Sequence, residues 1–284
     1  MACFPFVGER TGGGRVDDVN RSTWSEVAHE YAIEGWSDPG ELGALTYIAD
    51  RVRGQPILDL GVGGGRTVAL LRLLSSDYLG IDYTSELVEL CRERHPGVEI
   101  KVGDARDLSN LPEQSRGLVV FSNNGIDAVD HDDRQLVLSG VHRVLRPGGT
   151  FLFSTLNKNN PLFGAHPGTV ADITWLPGSL LPMPPDAPPK EDPPAPDDKS
   201  WVRAIRNWRR LRSEIRDEGE WGLAPFAAHQ FGLLTHFITL RGAVEELERH
   251  GFDVAAVFPC DSTDPQGTNQ PIGAMCMHLV AHRR

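Results

Sequence analysis

Residues 57–71 read Ile57-Leu58-Asp59-Leu60-Gly61-Val62-Gly63-Gly64-Gly65-Arg66-Thr67-Val68-Ala69-Leu70-Leu71. An apolar run broken only by Asp59 gives way to glycines at alternate positions and then to an apolar helical run. That is the pattern of a buried parallel strand, a tight turn and a helix N-terminus. Side chains in such a turn would hold a ligand off the backbone, and the helix start adds free N–H groups and partial positive charge suited to a carboxylate or phosphate. The stretch has the build of a cofactor cradle.

Further along, Tyr78-Leu79-Gly80-Ile81-Asp82 is a second short apolar run, ending in a carboxylate placed to accept both hydroxyls of a ribose. Val98–Val102 is a third run, followed by Gly103-Asp104-Ala105-Arg106. Gly117–Phe121 is a fourth, leading into Ser122-Asn123-Asn124-Gly125. A helical stretch closing on Val141–Leu145 passes through Pro147-Gly148-Gly149 into a fifth, Thr150–Thr155. Strands alternating with helices imply parallel βαβ units and a doubly wound α/β sheet.

A dinucleotide fingerprint G-x-G-x-x-G counted from Gly61 needs its third glycine where Arg66 stands. Gly61-x-Gly63-x-Gly65, with Asp59 before it, instead resembles the first motif of class I (Rossmann-like) S-adenosylmethionine (SAM) methyltransferases of the small-molecule type. The block Arg143-x-Leu145-x-Pro147-Gly148-Gly149 resembles that family's helix, turn and fifth strand. The resemblance covers about Thr23–Asn157 and His236–His282. It implies a seven-stranded sheet in the order 3-2-1-4-5-7-6 with strand 7 antiparallel, Val254–Phe258 and Ala274–Ala281 supplying the last two strands. It also implies SAM as cofactor. Asp59, Gly61, Gly63, Gly65 and Thr67 would surround its methionine and ribose, with Asp82 and Tyr83 at the ribose. Asp104, Ala105 and Arg106 would meet the adenine, Asn123 would follow the fourth strand, and Tyr31 would reach the methionine end from a helix across the pocket.

Outside this block, residues 1–20 are expected to be a mobile arm, residues 21–157 and 235–284 the SAM-binding core, and residues 158–234 an insertion. Thr23-Trp24-Ser25-Glu26 reads as a capping box and Asp38-Pro39-Gly40-Glu41 as a second helix start. In the insertion, Pro177–Pro196 is too rich in proline to supply a sheet ladder. Trp201–Arg216 then forms an amphipathic helix with an arginine-rich surface, read as a solvated helix packed by its apolar side, with a membrane-surface or partner element as the other possibility. Lying just after the fifth strand, the insertion is expected to be a substrate lid, with Trp201, Trp208 and His229 facing the acceptor.

The acceptor belongs at the carboxyl ends of strands four and five, where Asn124, Asp127 and Asn157 fall; His131 is the candidate general base. Asp127, Asp130, Asp132 and Asp133 raise the question of Mg²⁺, but acidic groups gather at a helix start for dipole reasons alone, and no metal is expected. Cys3, Cys91, Cys260 and Cys276 share no metal-type spacing and are read as reduced thiols. A net charge of −11 and the lack of an Asn-Pro-Pro-aromatic motif disfavour nucleic acid. No segment approaches the apolar length of a membrane span and Met1–Gly14 lacks the apolar core of a signal peptide, so a cytoplasmic location without a membrane partner is expected. The oligomeric state is left open. The leading expectation is methyl transfer to a small molecule, oxygen slightly ahead of nitrogen. The alternative is a non-catalytic SAM-binding regulatory or interaction protein.

Overall fold

The computed structural model describes residues 15–27, 37–169 and 198–284. Helices are α1 (Arg15–Val27), α2 (Pro39–Val52), α3 (Val68–Leu74), α4 (Ser85–Arg94), α5 (His131–Val144), α6 (Asp198–Leu211) and α7 (Leu240–Arg249). Strands are β1 (Ile57–Leu60), β2 (Tyr78–Asp82), β3 (Glu99–Val102), β4 (Arg116–Phe121), β5 (Leu145–Leu156), β6 (Arg216–Asp217), β7 (Trp221–Phe226), β8 (Leu233–Ile238), β9 (Phe252–Pro259) and β10 (Cys276–Arg283). The large sheet runs β3-β2-β1-β4-β5-β10-β9, with β10 antiparallel to both neighbours. This is the order that the resemblance implies, β9 and β10 being its sixth and seventh strands.

Both faces of that sheet are covered, which is why its strands read as near-continuous apolar runs. Ala44, Ile48 and Val52 of α2, Val68 and Leu71 of α3 and Val88 of α4 pack with Ile57, Leu118 and Val120 on one face. On the other, Val137, Val141 and Val144 of α5 and Ala243 and Leu247 of α7 pack with Leu58, Leu60, Val119, Phe151 and Phe153. Side-chain caps fix where these helices begin. Asp38 accepts from Glu41 N at 2.8 Å, Asp130 from Asp133 N at 3.0 Å and Thr239 from Gly242 N at 3.0 Å.

Two expectations change. Helix α1 begins at Arg15, within the stretch assigned to a mobile arm, and Thr23 lies inside it rather than capping it. The Thr23 hydroxyl donates to Val19 O and Gly232 O, both at 3.0 Å, while buried Asn20 bonds Ala128 O, Leu234 O and Leu234 N. Those tertiary bonds hold a helix that local capping signals place later. Tyr31 and Pro177–Pro196 lie outside the described residues.

The end of the insertion is also a sheet, β6-β7-β8, where the expectation is a proline-rich and helical lid. Strands β7 and β8 pair from Trp221↔Ile238 to Phe226↔Leu233. Pro225 is tolerated in β7 because β6 reaches only Gly222 and Leu223, so no ladder bond is asked of it on that side. Helix α6 is seated on this hairpin: Leu211 packs with Val16, Leu223 and Leu234, and Ala204 with Ala227 and Phe231. No helix among the described residues is long and apolar enough to cross a membrane.

Candidate active site

The turn between β1 and α3 carries Gly61, Gly63 and Gly65 at φ of +61°, +53° and +94°. A Cβ on Gly65 would fall 2.6 Å from the His95 ring and 2.9 Å from Cys91 Sγ, so this glycine lets α4 close against the turn. A Cβ on Gly63 would meet only Gly61 O, at 4.0 Å. Its left-handed backbone therefore faces open space, which is where a ligand can approach the chain.

Asp59 does not face that space. It is buried, and its Oδ2 accepts from Thr67 Oγ1 at 2.6 Å and Tyr78 OH at 2.7 Å, with Oδ1 left unpaired. Burial pushes its carboxyl up to about 6. Asp59 and Thr67 thus brace the turn from below. Asp82 ends β2 and reaches the turn from the side, its Oδ2 accepting from Gly63 N at 2.9 Å and its Oδ1 from Thr84 N at 2.8 Å. Burial raises Asp82 too.

Asp104, Ala105 and Arg106 follow β3. The Arg106 guanidinium is held by Asp104 Oδ2 at 2.6 Å, Asp133 Oδ2 at 2.7 Å and Asp17 Oδ1 at 3.2 Å. It therefore ties α1 and α5 to the end of β3 rather than lying free beside a ring. On α1, Arg21 sits 4.5 Å from the centroid of the Tyr83 ring. Helix α1 thus reaches over the Asp82–Asp104 end of the cradle and, through Asn20, is anchored on β8 and Ala128.

After β4, Asn123 and Asn124 both adopt left-handed backbone, φ +50° and +57°. Consecutive non-glycine residues in this region cost energy and mark a turn held by its surroundings; here Asn124 N donates to Ser154 Oγ at 2.7 Å. Asn123 is exposed, and Asp127 is not: Arg134 Nη1 and Thr155 Oγ1 each donate to its Oδ1 at 2.7 Å and Leu156 N to its Oδ2 at 2.6 Å. Asn157 is likewise spent internally, on Ile272 O, Ala274 O and Asn159 N. These two acceptor-site candidates are core braces in this geometry. His229 lies edge-on to Trp24 with ring centroids 5.4 Å apart, Trp208 edge-on to His166 at 4.3 Å, and Trp201 is 52% exposed.

His131 opens α5 and lies flat on Trp221, ring centroids 4.1 Å apart with 4° between planes. Its Nδ1 is 3.1 Å from Nε2 of fully buried His236. Burial lowers both imidazoles, His236 the more strongly, with the Arg134 charge adding to the effect there.

Sequence reasoning passed over Glu41 and Arg66. Arg66 Nη1 meets Glu41 Oε2 at 2.5 Å, Nη2 meets Oε1 at 2.9 Å, and Nη2 also reaches Ser122 Oγ at 2.6 Å. The pair joins α2, the glycine turn and the end of β4 at the mouth of the cradle. Glutamate at a capping position and arginine after a glycine run are each unremarkable alone; only the fold brings them together. Burial works to raise Glu41, but the Arg66 charge and hydrogen bonds outweigh it and hold the carboxyl down at about 2. A depressed carboxyl adds stability that is fully present above its ordinary value of 4.5 and is lost as pH falls through about 2. Acid unfolding should therefore show a term of roughly 3 kcal/mol from this group. Urea titrations between about pH 6 and pH 2 should find that term missing in Glu41→Gln; an unchanged acid limb would remove Glu41 as its source.

Residues 57–149 match the profile of a methyltransferase domain. Over these residues the chain is similar to methyltransferase domains. A relative described as a "Probable S-adenosylmethionine-dependent methyltransferase" of Mycolicibacterium smegmatis is 34% identical over 186 residues, 65% of this chain and 58% of that protein. A fatty-acid O-methyltransferase of the same organism is 35% identical over 109 residues, 36% of this chain and 38% of that one. Both matches thus span less than two thirds of the relative's length. The 1,6-didemethyltoxoflavin-N1-methyltransferase of Burkholderia thailandensis, solved with 1,6-didemethyltoxoflavin and S-adenosylhomocysteine, shares the fold at TM-score 0.57 and 15% identity, over 98% of this chain and 93% of that one. The matched residues hold the cradle, β1 to β4 and the start of β5.

Proposed function

We propose that this protein binds SAM in the glycine cradle and transfers its methyl group to a small organic or lipid acceptor, oxygen ahead of nitrogen. The observation that carries this reading is the open, left-handed backbone at Gly63 with the Asp82 carboxylate 2.9 Å from its N–H. When bound, SAM supplies a methyl group on a sulfonium, an electrophile that needs alignment more than activation. The chain's part is to bind and orient. Asp82 accepts ribose hydroxyls, the Gly63 backbone lies against the ligand, Asp59 and Thr67 hold the turn, and α1 covers the Tyr83–Asp104 end. The hairpin β7–β8 with α6 forms the acceptor cover, the role given to Trp201, Trp208 and His229, and His131 takes the acceptor's proton. A fatty-acid O-methyltransferase among the relatives supports oxygen and a lipid-like acceptor, while the N1-methyltransferase neighbour keeps nitrogen as the second choice. The net charge of −11 supports the absence of a nucleic-acid partner, and we place the protein in the cytoplasm.

Calorimetry with S-adenosylhomocysteine tests the cofactor. Asp82→Ala should weaken binding by about 1–3 kcal/mol, the cost of unmade hydrogen bonds to a charged group. NAD binding of comparable strength that survives the substitution would overturn the assignment. Release of S-adenosylhomocysteine from SAM on adding a pooled lipid and metabolite extract tests transfer; binding without release would leave a regulatory SAM-binding protein.

A further inference from the structure

Behind the mouth of the cradle, one turn before Glu41, lies a second polar cluster that methyl transfer does not use. Asp38 caps α2, and its Oδ1 lies 2.8 Å from Nε2 of His278 on β10. Cys276 and His278 are two residues apart on β10 and so share one face of the sheet. An Asp38 oxygen, Cys276 Sγ and a His278 ring nitrogen all lie within 4.8 Å of one another. Cys260, which follows β9, bonds through its N–H to Cys276 O at 3.1 Å. His278, Cys276 and Cys260 are 2%, 3% and 6% exposed.

We propose that Asp38, Cys276 and His278 form a metal site for a borderline-soft divalent cation, zinc by its ligand chemistry. One carboxylate, one imidazole and one thiolate converge, and mixed sulfur, nitrogen and oxygen donors select zinc over calcium or magnesium. Tetrahedral zinc with bonds of about 2.0–2.3 Å sets its ligands roughly 3.3–3.8 Å apart. The Asp38–His278 pair at 2.8 Å needs to open by less than about 1 Å to reach that spacing.

The surroundings hold the ligands in place. A Cβ on Gly40 would fall 2.3 Å from Pro259 O and 2.9 Å from His278 Cδ2, so the N-terminus of α2 is pressed onto the ends of β9 and β10. Asn124 stands beside Cys276, with its Oδ1 buried and unpaired. An aspartate–histidine pair alone would not explain a buried thiol within ligand reach of both. A bound ion would lock the start of α2, and with it Glu41 at the cradle mouth, to β10. The spacing was invisible in the sequence because Asp38 arrives from the far end of the chain.

Purified full-length protein, stripped with chelator and refed zinc, should retain one ion per chain by elemental analysis and gain thermal stability with zinc concentration. Cobalt in its place should give a thiolate-to-metal charge-transfer band, lost in Cys276→Ser and kept in Cys91→Ser. Asp38→Asn preserves the helix cap and so keeps the fold, yet should weaken zinc binding at least about 100-fold. Failure to retain stoichiometric zinc, a cobalt band that survives Cys276→Ser, or undiminished affinity in Asp38→Asn would overturn the site. So would a Cys260–Cys276 disulfide in protein prepared under reductant. None of these outcomes depends on methyl transfer.

Discussion

Arg134→Met is expected to destabilise the fold by about 3–5 kcal/mol, the cost of breaking a buried ion pair by removing one partner. Arg134 is fully buried on α5, with Nη1 2.7 Å from Asp127 Oδ1 and Nε 2.8 Å from Glu246 Oε2 on α7. Glu246 also accepts from Gln135 Nε2 at 2.8 Å. One guanidinium thus serves two carboxylates that have no access to water, and it links the turn after β4 to both helices on that face of the sheet. Removing it leaves two like charges buried together. Burial already pushes Asp127 up against the pull of Arg134, so without the arginine a carboxyl must take up a proton to stay inside. Urea unfolding measures the loss. Adding Asp127→Asn and Glu246→Gln to the same chain should recover most of it, because the uncompensated charges are then gone. A loss under about 1 kcal/mol for Arg134→Met would show that the network is not holding these elements together.

That network also shows where sequence reasoning stops. The Ile57–Leu71 pattern, the terminal carboxylate of β2 and the Pro147-Gly148-Gly149 block are legible because hydrophobic period and turn chemistry are local properties, and they carry the resemblance that implies the strand order. Asp127 sits one turn past β4 among several acidic residues, and nothing local separates the one that turns inward from those that face solvent. The distinction is made by Arg134, Thr155 and the Leu156 N–H, which reach it from α5 and β5. Asp59 and Arg106 follow the same logic. Each was assigned to ligand contact by position, and each finds its partners in neighbouring protein groups: Thr67 and Tyr78 for one, Asp104, Asp133 and Asp17 for the other. The β7–β8 hairpin was missed because Trp221-Gly222-Leu223-Ala224-Pro225-Phe226 lacks alternation: five of its six residues are buried against the sheet core, α6 and α1, leaving no polar face to read.

His131→Ala is expected to lower turnover by roughly 10²–10⁴-fold while leaving S-adenosylhomocysteine affinity unchanged, the signature of a lost general base. The geometry favours a base rather than an acid. Burial holds His131 below the ordinary histidine range, so the ring is neutral at neutral pH. His236 is held lower still, and its Nδ1 lies 4.0 Å from Asp127 Oδ1. With the proton on His236 Nδ1, the nitrogen on the Asp127 side, Nε2 is left as an acceptor for His131 Nδ1–H at 3.1 Å. The His131 Nε2 lone pair is then the one left to accept a proton, and stacking on Trp221 fixes the plane in which it points. Turnover of the wild type should accordingly fall on the acid side, below the ordinary histidine pKa, and this limb should vanish from the residual activity of His131→Ala. Steady-state kinetics across pH with the acceptor that the extract screen yields would decide it. A loss of less than about tenfold, with the acid limb intact, would make His131 a packing residue beneath Trp221 and turn the acceptor assignment from a hydroxyl to an amine.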